Sequence, residues 1–425
     1  MDTIVAPATP VGRSALAIIR IDGPQSSLVF SDAKPEVRKA TLIHLQDIDE
    51  CIAIRYEAPH SFTGNDLVEL IVHGSPVIVE RVVAAAVSLG ARMAEPGEFT
   101  ERAVLNGKLD LVQAESIADL INSRTALQAK LSLANLDGAL SETAARIRAS
   151  LLHVISRLEA ALDFSEEGYD FISRDDARAA VENAIGATRE LAATYRRGRA
   201  TTEGLSAVIV GRPNAGKSTL LNRLVGSERA IVTPIPGTTR DIVRETIEIG
   251  GLPVTIADTA GLRDTSDVVE TIGVERARDA ARRADIVLYL IDASAPHHED
   301  QHEITLFSGA TLMTIYTKTD LAPAPEGALG ISKDNTEPLL KRLDAIVRES
   351  FVASEGSLVN ARQQQAVAGC EEALRDALAT IDAGGDEQLI LVDLYRASTS
   401  LGLLTGAITR EDVFEEIFSK FCIGK

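Results

Sequence analysis

Hydrophobic positions along this chain follow two rhythms, one of strands and one of helices. Short apolar runs at Ala15-Leu-Ala-Ile-Ile-Arg-Ile21, Cys51-Ile-Ala-Ile-Arg-Tyr56 and Leu67-Val-Glu-Leu-Ile-Val72 predict strands, and 77–89 predicts a helix. From about 110 to 200 the spacing turns helical, as in Leu151, Leu152, Ile155, Leu158 and Leu162. The stretch 163–170 interrupts that pattern as a loop, and Arg-rich 196–204 reads as a linker. Strand runs return at 205–210, 254–258, 286–292 and 312–316. Helical spacing resumes after about 350 (Ala366, Cys370, Ala373, Leu374, Ala377, Leu378, Ile381), continues over 389–404 and ends in a short helix over 411–421. Helices on both sides of a compact α/β unit predict a discontinuous helical domain with the α/β domain inserted into it. The expected divisions are an N-terminal α+β domain at 1–115, a first helical segment at 116–204, the inserted domain at 205–350 and a second helical segment at 351–425.

Composition narrows the picture. At 425 residues there is room for several domains. Trp is absent and aromatics make up 4%, so aliphatic side chains must build the core. Lys and Arg number 43 against 62 Asp and Glu, a net charge of −19. That argues against a broad electrostatic grip on nucleic acid, so any RNA contact is local or delivered by a partner. Three Cys without paired spacing give neither a disulfide framework nor a zinc site, which fits a reducing compartment. Cys51 and Cys370 read as small buried hydrophobes. No secretory leader pattern and no apolar run of ~18 residues is found, so a cytoplasmic protein with no membrane segment is expected. Cys422 stands four from the end, as in a prenylation box, but Gly424 is not aliphatic and no polybasic stretch precedes it.

The strongest chemical signal is Gly211-Arg-Pro-Asn-Ala-Gly-Lys-Ser218, an unbroken G-x-x-x-x-G-K-[ST] phosphate loop between an apolar strand and a helical run. Glycines let successive backbone N–H groups converge on phosphate at a helix N-terminus. Asn214, Ala215, Gly216, Lys217, Ser218 and Thr219 line the expected site. Lys217 would reach the β- and γ-phosphates, and Ser218 would ligate Mg²⁺. Downstream, Asp258-Thr259-Ala260-Gly261 is the Asp-x-x-Gly that places a carboxylate near Mg²⁺ and an N–H near the γ-phosphate. Thr317-Lys318-Thr319-Asp320 varies the guanine motif Asn-Lys-x-Asp, with Thr where an Asn amide is usual. Asp320 can accept from guanine N1–H and N2–H₂, donors that adenine does not pair in this way. Ser332 and Lys333 weakly match the last guanine loop. Thr233, Pro234, Ile235, Pro236, Gly237, Thr238 and Thr239 read as a switch loop, with Thr239 a candidate Mg²⁺ ligand. Leu262 stands where Ras-like proteins carry a water-positioning Gln, and no arginine finger can be assigned. Another cation and another water-orienting group are therefore needed, and Glu270 is the nearest carboxylate candidate.

Together these motifs resemble the tRNA uridine-modification GTPase family MnmE, also called TrmE. The resemblance rests on Asp2-Thr-Ile-Val-Ala, Ser61-Phe-Thr-Gly, Pro96-Gly-Glu-Phe-Thr-Glu-Arg-Ala, Lys108-Leu-Asp-Leu-Val-Gln-Ala-Glu, Gly237-Thr-Thr-Arg-Asp and the terminal Phe-Cys-Ile-Gly-Lys. It covers essentially the whole chain. It implies an N-terminal tetrahydrofolate-binding and dimerising domain, a discontinuous helical domain and an inserted Ras-like phosphate-loop GTPase domain. It also implies a homodimer that works with the FAD protein MnmG (GidA), in a heterotetramer-type complex, on C5 of the wobble uridine of certain tRNAs. The one-carbon donor would be 5-formyl- or 5,10-methylene-tetrahydrofolate, contacted by Arg20, Glu69, Lys108 and Lys425. Cys422 is a candidate catalytic thiol. Potassium would replace the arginine finger, held by Asn214 and by the switch loop at Thr233, Ile235 and Thr238, while Glu270 matches the family's water-orienting glutamate. Two other readings stay open at this point: a ribosome-assembly switch GTPase without modification chemistry, and a folate aminomethyltransferase carrying a regulatory GTPase.

Overall fold

The computed structural model describes residues 2–30, 34–45, 47–164, 171–226, 244–258, 282–296, 310–407, 414, 417–419 and 421–425, without the side chains of 244 and 258. The strands are β1 (Ile4–Pro7), β2 (Leu16–Asp22), β3 (Thr41–Leu45), β4 (Asp49–Tyr56), β5 (Leu67–His73), β6 (Arg92–Met93), β7 (Leu205–Gly211), β8 (Arg244–Ile249), β9 (Leu252–Asp258), β10 (Ile286–Asp292), β11 (Thr311–Thr317) and β12 (Leu329–Gly330). The helices are α1 (Pro76–Ser88), α2 (Glu98–Leu105), α3 (Leu111–Asn122), α4 (Ala126–Leu136), α5 (Ala139–Asp163), α6 (Arg174–Ala193), α7 (Tyr195–Glu203), α8 (Lys217–Val225), α9 (Glu337–Phe351), α10 (Ala361–Asp382) and α11 (Glu387–Thr405). They divide between two compact units, Met1–Ala118 with Asn135–Ile185 and Gly369–Lys425, and Asp119–Ala134 with Gly186–Ala368.

The first unit contains a six-stranded sheet in the order β3-β4-β5-β2-β1-β6, antiparallel except where β1 runs beside β6. Its strands alternate, as a half-buried sheet requires. Ala17, Ile19 and Ile21 of β2 and Val68, Leu70 and Val72 of β5 turn into one core with Val82 and Ala86 of α1. The intervening positions face the other way, and register sets Arg20 directly opposite Glu69. Among the helices, α5 buries Leu140, Ala144, Ile147, Leu151, Val154, Ile155 and Leu158. That is the stripe of a helix with one apolar face, and α5 packs along α11. Phe414, Ile417, Phe418 and Phe421 close a third cluster with Leu111, Ala114 and Ile117. Residues 411–413, 415, 416 and 420 of the helix expected over 411–421 lie outside those described, as does most of the 163–170 loop.

The second unit is built on the sheet β12-β11-β10-β7-β9-β8, parallel except for β8 at one edge. Six of the seven residues of β10 are buried, as expected of a parallel strand covered on both faces. Ala207, Ile209, Leu288 and Leu290 face one core, and Val208, Val210, Val287, Tyr289 and Ile291 the other.

One expectation fails here. The Arg-rich stretch taken as a linker is helix α7, which buries Gly198, Ala200 and Thr201. Its arginines find partners within the unit: Arg197 donates to the Glu349 carbonyl, Arg199 pairs with Asp285 at 2.9 Å, and Arg196 lies over the Phe351 ring. A β-carbon on Gly198 would sit 1.9 Å from the Leu358 carbonyl oxygen, so glycine is what permits the close approach.

Candidate functional site

Two sites can be built from the described residues, one in each unit. The phosphate loop leaves β7 at Gly211 and enters α8 at Lys217. The turn needs left-handed backbone at Gly211 (φ +144), Asn214 (φ +63) and Gly216 (φ +93). At Gly211 a β-carbon would meet the Leu290 carbonyl oxygen at 2.5 Å, so only glycine fits. Ala215 is buried, whereas Asn214, Ser218 and Thr219 are exposed. Lys217 Nζ donates to the carbonyls of Gly211 and Arg212, both at 2.8 Å, which holds the ammonium over the loop where phosphate oxygens would replace those carbonyls.

The turn at 317–320, expected to read guanine, is tied to this loop. Thr317, buried at the end of β11, donates its hydroxyl to the Ala215 carbonyl at 2.8 Å. The Thr319 N–H donates to the Ile331 carbonyl, which brings Ser332 and Lys333 beside Lys318 and Asp320. Asp320 is exposed at the end of the turn. Asp258 ends β9, and its backbone lies opposite Ile209 of β7. Thr233, Pro234, Ile235, Pro236, Gly237, Thr238, Thr239, Thr259, Ala260, Gly261 and Glu270 lie outside the described residues, as does the Asp258 side chain.

The second site lies on the other face of the first sheet, beside the buried cluster of Ile4, Ala6, Leu67, Ala94 and Phe99. Arg20 Nε donates to Glu69 Oε1 at 2.8 Å, and the Tyr56 hydroxyl donates to Glu69 Oε2 at 3.4 Å. The Arg20 guanidinium stands 5.4 Å from the centre of the Phe62 ring. The C-terminal tail reaches this cluster: Ile423 bridges Pro96, and Arg20 Nη1 approaches the Gly424 carbonyl at 3.5 Å. Lys425 is half-buried, and burial and then the Arg20 charge lower its pKa, with Glu69 opposing. Burial, with Glu69 next, raises the Tyr56 phenol. Lys108 Nζ donates to the Pro59 carbonyl at 3.0 Å, tying it to the loop that carries Phe62. Cys422 is exposed, and the tail brings Lys425 rather than Cys422 against Arg20 and Glu69.

On the same face, two residues along β2 from Arg20, Asp22 anchors an ionic network. Arg102 donates to Asp22 at 2.9 Å, Asp2 at 2.7 Å and Glu98 at 2.9 Å. Asp22 in turn accepts from the Thr63 hydroxyl and from Asn65 Nδ2. The motif residues Thr63 and Arg102 therefore pin the 57–66 loop, and removing one member of such a buried pair costs ~3–5 kcal/mol. Sequence reasoning missed Tyr56, Phe62 and Asp22. Tyr56 lies two residues beyond Ile54, which stands opposite Glu69, and that register has no signal in the sequence.

The arrangement suits the expected ligands. Each Glu69 oxygen has one donor in place, and a carboxylate has about four acceptor sites, which leaves room for ring N–H groups. Arg20, Lys108 and Lys425 supply cations for carboxylates.

Comparison with known proteins follows the same layout. The model for the GTP-binding protein TrmE N-terminus matches residues 3–108, and that for the MnmE helical domain matches 111–422, a span enclosing the phosphate loop. A protein of Symbiobacterium thermophilum named tRNA modification GTPase MnmE is 42% identical over 454 residues, covering 100% of this chain and 99% of its own. Proteins of the same name from Koribacter versatilis and Aquifex aeolicus are each 38% identical over 100% of this chain, covering 99% and 100% of their own lengths. With both models in order along one chain and relatives aligned from end to end, this chain belongs to the MnmE (TrmE) family.

Proposed function

We propose that this chain hydrolyses GTP within a tRNA-modifying system that installs an aminomethyl-type group at C5 of the wobble uridine. The observation that carries this reading is the junction of phosphate loop and guanine turn through Thr317 and Ala215, in a chain whose relatives along its whole length are named tRNA modification GTPases. It is a GTP hydrolase of its family. Ser218, Thr239 and Asp258 would hold Mg²⁺ at the β- and γ-phosphates, and Lys217 would move from the loop carbonyls onto them. Asn214, with the backbone near Thr233, Ile235 and Thr238, would hold potassium, whose charge would do some of an arginine finger's work. Glu270 would orient the attacking water.

The cluster Arg20, Glu69, Lys108 and Lys425 is proposed as the site of a formyl- or methylene-tetrahydrofolate, which supplies the one-carbon unit. Glu69 accepts from the pterin N–H groups, and the cations take the glutamyl carboxylates. Cys422 remains a candidate thiol for the transfer. The divisions at 115, 204 and 350 are proposed as functional domains, the N-terminal one making a homodimer. MnmG would deliver FAD chemistry and much of the tRNA grip, since this chain carries −19 charge. The cytoplasm is the proposed compartment, and no helix among the described residues is long and apolar enough to cross a membrane. A ribosome-assembly switch would leave the Arg20–Glu69–Lys425 cluster without a task.

Phosphate release by the purified chain tests the catalytic claim. GTP but not ATP should be hydrolysed, and the rate should rise steeply in KCl relative to NaCl at matched ionic strength. Equal rates in the two salts would remove potassium and favour a finger supplied by a partner.

A further inference from the structure

Thr317 stands where an Asn would usually begin the guanine turn, and from sequence alone that position has lost an anchor. The structure holds the turn at two other points. One is the Thr317 hydroxyl, which reaches the phosphate loop at Ala215. The other is Asp292, the last residue of β10, paired in register with Thr317 itself. Asp292 Oδ2 accepts from Lys318 Nζ at 2.5 Å, while Oδ1 accepts from the Ser294 N–H at 2.9 Å and the Ser294 hydroxyl at 2.6 Å. Burial pushes the Asp292 carboxyl up, but the Lys318 and Ser294 hydrogen bonds outweigh it and hold the pKa below the ordinary value. The ion pair grips a residue with left-handed backbone, Lys318 at φ +56, a conformation an L side chain adopts only when its surroundings hold it. The Ala293 N–H donates to the Thr317 carbonyl at 3.0 Å and closes the same corner.

We propose that Asp292 is a positioning residue for guanine-nucleotide binding. Acting through Lys318, it joins the Thr317 hydroxyl in replacing the missing Asn and holds Asp320 at the guanine edge. This rests on the reading of 317–320 as the guanine turn. No motif spacing along the chain links position 292 to that turn; the parallel pairing of β10 with β11 does.

The test is a double-mutant cycle of Asp292→Ala and Lys318→Ala, read by fluorescent GDP and GTP titration, GDP release rate and single-turnover hydrolysis. Losing one charge-assisted hydrogen bond should weaken nucleotide binding about tenfold, mainly through faster release. In Asp292→Ala, single-turnover hydrolysis of bound GTP should stay within about twofold, so binding moves and the chemical step does not. The double variant should bind no more weakly than Lys318→Ala alone, because one residue acts through the other. Asp292→Asn, which still offers Lys318 a carbonyl, should recover some of the loss, and it carries the same test if Asp292→Ala fails to fold. In a Thr317→Asn background the loss on removing Asp292 should shrink. Additive losses, or unchanged binding in Asp292→Ala beside a weakened Lys318→Ala, would overturn the inference alone. Unchanged GTP binding in Asp292→Ala, Lys318→Ala and Asp320→Asn together would overturn the guanine reading beneath it.

Discussion

Gly424→Ala is expected to weaken tetrahydrofolate binding about 100-fold or more and to abolish tRNA modification, while leaving GTP hydrolysis within about twofold of the parent. Gly424 has φ +94, and a β-carbon there would lie 2.0 Å from the Pro7 carbonyl oxygen. Neither strand Ile4–Pro7 nor the tail can yield without breaking its own contacts, since β1 is paired on both sides and Ile423 bridges Pro96. A left-handed non-glycine residue costs ~1–3 kcal/mol, and the backbone collision adds to it. The tail leaves its seat, taking Lys425 from Arg20 and Glu69, and folate affinity should fall about 100-fold or more, the equivalent of ~2.8 kcal/mol. The core survives, because Gly424 lies outside its apolar clusters, so the melting temperature should move little. Deleting Cys422–Lys425 should give the same division between the two activities. Isothermal titration with 5-formyl-tetrahydrofolate, run beside a phosphate-release assay, decides it. Undiminished folate binding would separate the tail from the pocket.

Asp320→Asn is expected to weaken GTP by about 10³-fold and to admit xanthosine triphosphate. A carboxylate accepts both guanine donors, whereas the amide turns one acceptor into a donor facing another donor, and pockets that leave polar groups unpaired discriminate by ~10⁴ or more. Xanthine carries a carbonyl where guanine carries an amine, so the amide finds an acceptor there. Competition between the two nucleotides in a fluorescence titration measures the exchange, and an unchanged GTP affinity would remove Asp320 from the pocket.

What the sequence made legible was whatever local pattern encodes. Alternation in Leu16–Asp22 separates Arg20 from Ile19 and Ile21, and the phosphate loop announces its strand, turn and helix. The pairing of Arg20 with Glu69 depends on register between strands 49 residues apart, which periodicity does not contain. The tail is harder still. Read alone, Phe-Cys-Ile-Gly-Lys is a frayed terminus, and only contacts with Pro7 and Pro96 give it a place. Helix α7 was hidden because its arginines suggested solvent, while their partners Asp285, Glu349 and Phe351 lie far along the chain. Thr317 is a further case: the motif shows only that an amide is absent, and the contact of its hydroxyl with the phosphate loop at Ala215 appears only with the fold. Arg102 was visible as a motif residue, but its task, pinning the 57–66 loop through Asp22 and Thr63, appears only with the fold.

The central claim is that nucleotide turnover at the phosphate loop is required for modification of the wobble uridine. Mass-spectrometric nucleoside analysis of tRNA tests it most directly, in cells whose own copy is replaced by Lys217→Ala at equal protein level. The account predicts uridine lacking its C5 group at the level of a full deletion, with the parent chain restoring it. Fully modified tRNA in the Lys217→Ala cells would contradict it.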